Sequence, residues 1–241
     1  MKNHDASNPK KRVIKICIAS VLCLALVIAG IALYPKEPGP VFSGEPIPLP
    51  ETSGDSWVSY KMNDNTLDTE VDVAISNEAE PYFTKYDTTI FKGVLTRVTD
   101  ISVSFDINRG VYHSLMEFWV EEVYRGDCKK GDYVVVMMHY ERKANHYDTE
   151  IGSSGIYMVV DYADEEMFGE DNLYQSIEGL ADYSTIDDWG LRFVETSDGL
   201  VFASDIHSDI QDATTLEEVE AYIRKMGKSG CKVPSNARYI K

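Results

Sequence analysis

The chain has 241 residues, of which 44% are hydrophobic, 26% charged and 11% aromatic, the composition of a folded globular protein and not of a disordered or collagen-like one. Its 23 basic residues against 40 acidic ones leave a formal charge of −17, which argues against a phosphate-binding surface and so against nucleic acid as a partner. Four cysteines without C-x-x-C spacing exclude a zinc ribbon, a thioredoxin-type centre and a disulfide-dense scaffold.

Residues 1–15 form a basic segment with Lys2, Lys10, Lys11, Arg12 and Lys15, and residues 16–33 follow as 18 uncharged positions. As a helix rising about 1.5 Å per residue, that run spans roughly 27 Å, close to the hydrocarbon thickness of a bilayer. The positive-inside rule puts the N-terminus in the cytoplasm and everything after Tyr34 outside. A cleaved signal peptide is the rival reading, with small residues at 27–29 and 30–32. Cys17 and Cys23 read as apolar filler, because the residues before Cys23 lack the Leu of a lipoprotein signal. Residues 16–34 are therefore expected to be a transmembrane helix or signal peptide, and the rest extracytoplasmic. Residues 35–241 carry 18 basic against 39 acidic groups, a solvated surface that would also attract cations or a basic partner.

Pro35, Pro38, Pro40, Pro46, Pro48 and Pro50 mark residues 35–54 as a Pro-rich stalk, which in polyproline II geometry at roughly 3.1 Å per residue would reach about 50 Å. The sortase-like run Leu49-Pro50-Glu51-Thr52-Ser53 lies far from the C-terminal position such signals occupy. Residues 55–85 read as a loose lead-in with a short helix near 76–83. Strands are expected at 89–98 and 111–124, both rich in β-branched and aromatic residues. Arg125-Gly126-Asp127 matches an integrin-binding tripeptide, but Gly and Asp stand where the strand must turn. The third strand, 132–141, is apolar on both faces and so expects cover on both sides. A fourth strand is expected at 155–162 and a hairpin over 191–203 turning at Ser197-Asp198-Gly199. A helix over 215–226 begins with a capping box (Thr214 with Glu217, or Thr215 with Glu218), buries Leu216, Val219, Ile223 and Met226, and stops at Gly227. Residues 227–241 are a tail.

Motifs of known chemistry are mostly missing. The chain lacks H-E-x-x-H and G-x-S-x-G, Gly227-Lys228-Ser229 lacks the upstream Walker glycine, and residues 161–171 fail the EF-hand pattern, with Gln175 at the twelfth position. His139-Tyr140-Glu141 has H-x-E spacing without the P-C-x-x-C of a zinc deaminase, and His139, Glu141 and His146 are the metal-ligand alternative. Cys128 and Cys231 are the exported cysteines and candidates for a disulfide closing a large loop, worth about 4–5 kcal/mol in the chain-entropy model.

Phe91-Lys92-Gly93-Val94, residues 118–126 (FWVEEVYRG), 130–136 (KGDYVVV) and 155–160 (GIYMVV) together resemble netrin-like, tissue-inhibitor-like domains, and more closely exported proteins of Gram-positive bacteria with the same succession. The resemblance covers roughly residues 86–162 and implies an OB-type five-stranded barrel. Inhibitors of that group act through an N-terminal Cys, whereas signal cleavage here would expose Gly30 or Leu33, so inhibitor function does not carry over with the fold.

The expected fold is mainly β (α+β): an OB-like barrel domain over 86–226 with an added hairpin and C-terminal helix, preceded by one transmembrane helix. The expected function is a membrane-anchored, extracytoplasmic binding module without catalytic, metal or cofactor residues. It would meet a cell-envelope or extracellular protein or glycan through the barrel's exposed face and loop 142–154, with Lys143, Asn145, His146 and Tyr147 as the ligand surface. The alternatives are a metal-assisted hydrolase at His139 and His146, a carboxylate-dependent glycosidase, and a secreted protease-inhibitor-like protein.

Overall fold

The computed structural model describes residues 39–52, 57–60, 79–84, 87–106, 109–139, 150–162, 177–185 and 192–228. The chain divides into units Met1–Gly39 and Pro40–Lys241, and the architecture below is that of the second. The basic segment and the expected membrane helix lie outside the described residues, among which no helix is long and apolar enough to cross a membrane.

The fold is mainly β. Its strands are β1 (Trp57–Tyr60), β2 (Thr89–Asp106), β3 (Arg109–Arg125), β4 (Tyr133–His139), β5 (Ser154–Asp161), β6 (Tyr183–Ser184), β7 (Arg192–Thr196) and β8 (Gly199–Val201), with helices α1 (Glu80–Thr84) and α2 (Leu216–Lys228). All eight strands join one sheet in the order β1-β2-β3-β4-β6-β5-β7-β8, and β2 also pairs with β5. The pairing β2 to β3 to β4 to β6 to β5 therefore returns to β2. Strand direction cannot alternate all the way round a circuit of five, so one junction has to be parallel; it is β4 with β6, and the other four are antiparallel.

Several expected boundaries move. The first strand, expected over 89–98, continues to Asp106, because Ile101 and Val103 alternate with polar neighbours and are 0% and 3% exposed. The expected lead-in at 55–85 contains β1, an edge strand whose four residues pair with residues 101–104 of β2. The short helix falls on Glu80–Thr84, and β6 is an additional strand of two residues. The third strand is Tyr133–His139 and the fourth Ser154–Asp161, while the hairpin is β7 and β8.

Side-chain alternation along the strands sorts the core into three clusters. Every strand of the circuit sends residues to the first: Phe91 and Leu95, Met116, Phe118 and Val120, Val134, Val136 and Met138, Tyr157 and Val159, with Tyr183 packed against them. The opposite face of β5 (Ile156, Met158, Val160) packs with Ile90, Phe193 and the α2 stripe Leu216, Val219, Tyr222 and Ile223. Residues Ile101, Val103, Leu115 and Met137 build the third cluster with Ile47, Tyr162, Ile177 and Leu180. Both faces of β4 are thus covered, as its doubly apolar sequence requires.

α2 opens with a capping box. The Glu218 backbone N–H donates to Thr215 Oγ1 at 3.4 Å, while the Glu218 carboxylate accepts the N–H groups of Thr214 at 2.8 Å and Thr215 at 3.2 Å. The helix runs through Gly227 to Lys228, so Gly227 is not its stop. Tyr222 joins the expected stripe because its hydroxyl meets Nδ1 of the fully buried His207 at 3.2 Å, and burial pushes that hydroxyl's pKa up to about 12. The Thr214 N–H, then the Thr215 N–H, hold the Glu218 carboxyl below its ordinary value. A carboxyl depressed in the folded state stabilises above its unfolded pKa, and that contribution is lost as the pH falls through the folded value. Thermal melts should therefore show a fall in Tm below about pH 4.5, and Glu218→Gln should make that fall smaller. An unchanged acid limb in the variant would remove Glu218 from the account.

Candidate functional site

Because Phe118 and Val134 point into the first cluster, their chain neighbours Trp119 and Tyr133 point the other way. Register then fixes this outer face of β2, β3 and β4 as four successive rungs: Val94, Trp119 and Tyr133; Arg97, Glu117 and Val135; Thr99, Leu115 and Met137; Ile101, His113 and His139. The second rung is closed by charge. Arg97 and Glu117 form an ion pair through Nη2 and Oε2, and Thr96 Oγ1 donates to Glu117 Oε1 at 3.0 Å. The third is covered by the third cluster, which also takes in Ile101 of the fourth.

Part of that cover comes from the expected stalk. Ile47 is only 5% exposed; its N–H donates to Thr99 Oγ1 at 2.8 Å and its carbonyl accepts the Tyr60 hydroxyl at 3.2 Å. The Val41 N–H donates to Tyr133 Oη at 2.7 Å. Residues 41–49 are thus a strap laid along the outer face from the first rung to the third. They are not a free spacer, since a buried Ile and paired backbone groups hold them there. At the first rung Val94 is buried but Tyr133 is 42% exposed, and Val41 and Phe42 of the strap are 68% and 52% exposed. Tyr133, beside the half-buried Trp119 in register and holding the Val41 N–H on its hydroxyl, offers an aromatic surface on a strongly acidic protein.

The other expected site residues fare differently. Lys143, Asn145, His146 and Tyr147 lie outside the described residues, as do Glu141 and Cys231. The end of that loop is anchored to β2 by Leu95 N–H to the Ser153 carbonyl (3.0 Å) and Gly152 N–H to the Leu95 carbonyl (2.8 Å). His139 ends β4, and register brings His113 beside it on β3, a neighbour 26 positions away in sequence that alternation alone does not reveal. Among the described residues no group of three or more His, Cys, Asp or Glu is placed to hold a metal.

Arg125 is a clamp and not a displayed cation. Its Nε donates to the Thr88 carbonyl at 2.7 Å, Nη1 to the Phe83 carbonyl at 2.9 Å, and Nη2 to Thr88 Oγ1, so it ties the end of β3 to α1 and the start of β2. Gly126 turns the chain with φ +104°. Cys128 is half-buried against the first cluster and forms no disulfide among the described residues. Burial, then nearby Asp132, push its thiol pKa up, the opposite of what a nucleophilic thiolate needs. It borders an open depression shared with Glu121, Glu122, Val123, Lys129 and Lys130.

Compared with protein-family models, with curated proteins and with solved structures, the chain finds no match.

Proposed function

We propose that this chain is a membrane-anchored extracytoplasmic binding module, non-catalytic, that holds its ligand on the outer face of an OB-type barrel. The exposed Tyr133, with the half-buried Trp119 beside it in register and the exposed Val41 bound to its hydroxyl, carries the reading, because large apolar side chains on a solvated face mark an interaction site. Trp and Tyr offer a broad apolar body with a polar tip, which suits a cell-envelope protein or glycan. The five-strand pairing circuit with one parallel junction supports the barrel, and OB-type barrels bind through the face of their second and third strands, here β3 and β4. The uncharged run 16–33 with its basic flank supports the anchor. The double variant Trp119→Ala/Tyr133→Ala, made in the membrane-inserted full chain, should keep a cooperative melt and lose capture of envelope material that the parent retains. Equal capture by both proteins would refute the assignment of this face.

One observation favours a second reading. His113 opposite His139 places two imidazole-bearing positions on one face, the start of a metal site for an extracytoplasmic hydrolase. Stoichiometric transition metal in protein purified without chelator or a polyhistidine tag would favour it, and metal-free protein would count against it.

A further inference from the structure

The segment Glu45-Pro46-Ile47-Pro48-Leu49-Pro50 alternates proline with another residue. Each proline fixes its own φ near −65°, and each residue before a proline is driven to extended backbone, so past the bend at Glu45 both Ile47 and Leu49 are biased to extended backbone before they touch anything. Three prolines also remove three N–H donors, which forbids a strand ladder, and residues 39–52 contribute to no strand. What holds the segment is a receptor surface. Ile47 enters the cluster of Leu115, Met137 and Ile101, Leu49 packs beside it, and both backbone polar groups of Ile47 are met by side chains of the domain, Thr99 and Tyr60. An extended proline-alternating chain seated in an apolar groove, with its remaining polar groups individually recognised, is how proline-rich peptides are bound by dedicated modules.

We infer that the groove of Thr99, Leu115, Met137 and Tyr60 is a binding site for Pro-Ile-Pro-Leu-Pro peptide, filled in cis by the chain's own strap and filled in trans by the strap of a second copy. The strap is suited to exchange: it is pre-extended, carries no ladder to break, and is joined to β1 by residues 51–56. Exchange of an identical element is a low-cost route to a pair of copies, and the tethered strap's high effective concentration keeps the groove closed until copies are crowded. The inference stands independently of whatever the aromatic rung binds.

The test uses the full chain in detergent micelles, as wild type, as Ile47→Asp and as the milder Ile47→Ala, with a labelled peptide of residues 43–52. Freeing the groove should let either variant bind the peptide at least ten times more tightly than the wild type does, and a peptide carrying Asp for Ile47 should not bind. Differently labelled wild-type chains crowded into the same micelles should pair by energy transfer, whereas two Ile47→Asp chains should not. Variants that melt cooperatively yet ignore the peptide would overturn the groove; peptide binding without pairing of crowded wild-type chains would overturn the second copy as its occupant. If Ile47→Asp does not melt cooperatively, the same readings are taken with Ile47→Ala.

Discussion

Phe118→Ala is expected to lower stability by about 3–5 kcal/mol, the range for truncating a buried aromatic. Phe118 is 0% exposed, lies opposite Leu95 and Val134, and has ring centroids 5.9 Å from Phe91 and 4.2 Å from Tyr157. Every strand of the pairing circuit contributes to the cluster around it, so the cavity has no single element that can collapse to fill it. With total stabilities of about 5–15 kcal/mol usual for a domain, the variant should show a large fall in its urea midpoint. Trp119→Ala, one residue along and on the outer face, should cost much less. Equal losses at the two positions would contradict the strand register.

Gly126→Ala should be the second most damaging single change. A side chain at φ +104° costs about 1–2 kcal/mol in backbone strain. A Cβ there would also fall 2.7 Å from Thr89 Cβ, and relieving that overlap costs about 1–3 kcal/mol more. Thr89 begins β2 beside the Arg125 clamp, so it has little freedom to retreat. The exposed Asp127, by contrast, should tolerate Ala within about 0.5 kcal/mol. That asymmetry separates a structural turn from a displayed Arg-Gly-Asp motif, and urea unfolding of the two variants measures it. A neutral Gly126→Ala would mean the turn is not held as described.

What could be read from the sequence was what local chemistry decides. The capping box at Thr215 and Glu218 needs only four residues, and β4's double apolar character shows in its own run of Val and Met. Residues 101–104 carried a legible signal too, Ile and Val alternating with Ser, though it lies past a stretch of polar residues that reads as an ending. β1 and β6, with four and two residues, exist because β2, β4 and β5 offer them partners, and no local pattern announces that. Ile47 is a similar case. Prolines on both sides read as a solvated spacer until the groove over Leu115 and Met137 is known. The outward pairing of Trp119 with Tyr133 depends on register between segments that each look merely apolar, which is why the sequence directs attention to the polar loop 142–154 instead.

The outer face as the contact surface is tested most directly by placing a photo-crosslinking amino acid at position 133 of the full chain, with the exposed α2 position 217 as the comparison. Position 133 should give a discrete crosslinked partner and position 217 none of that mass. Crosslinks of the same pattern from both positions, or from 217 alone, would contradict it.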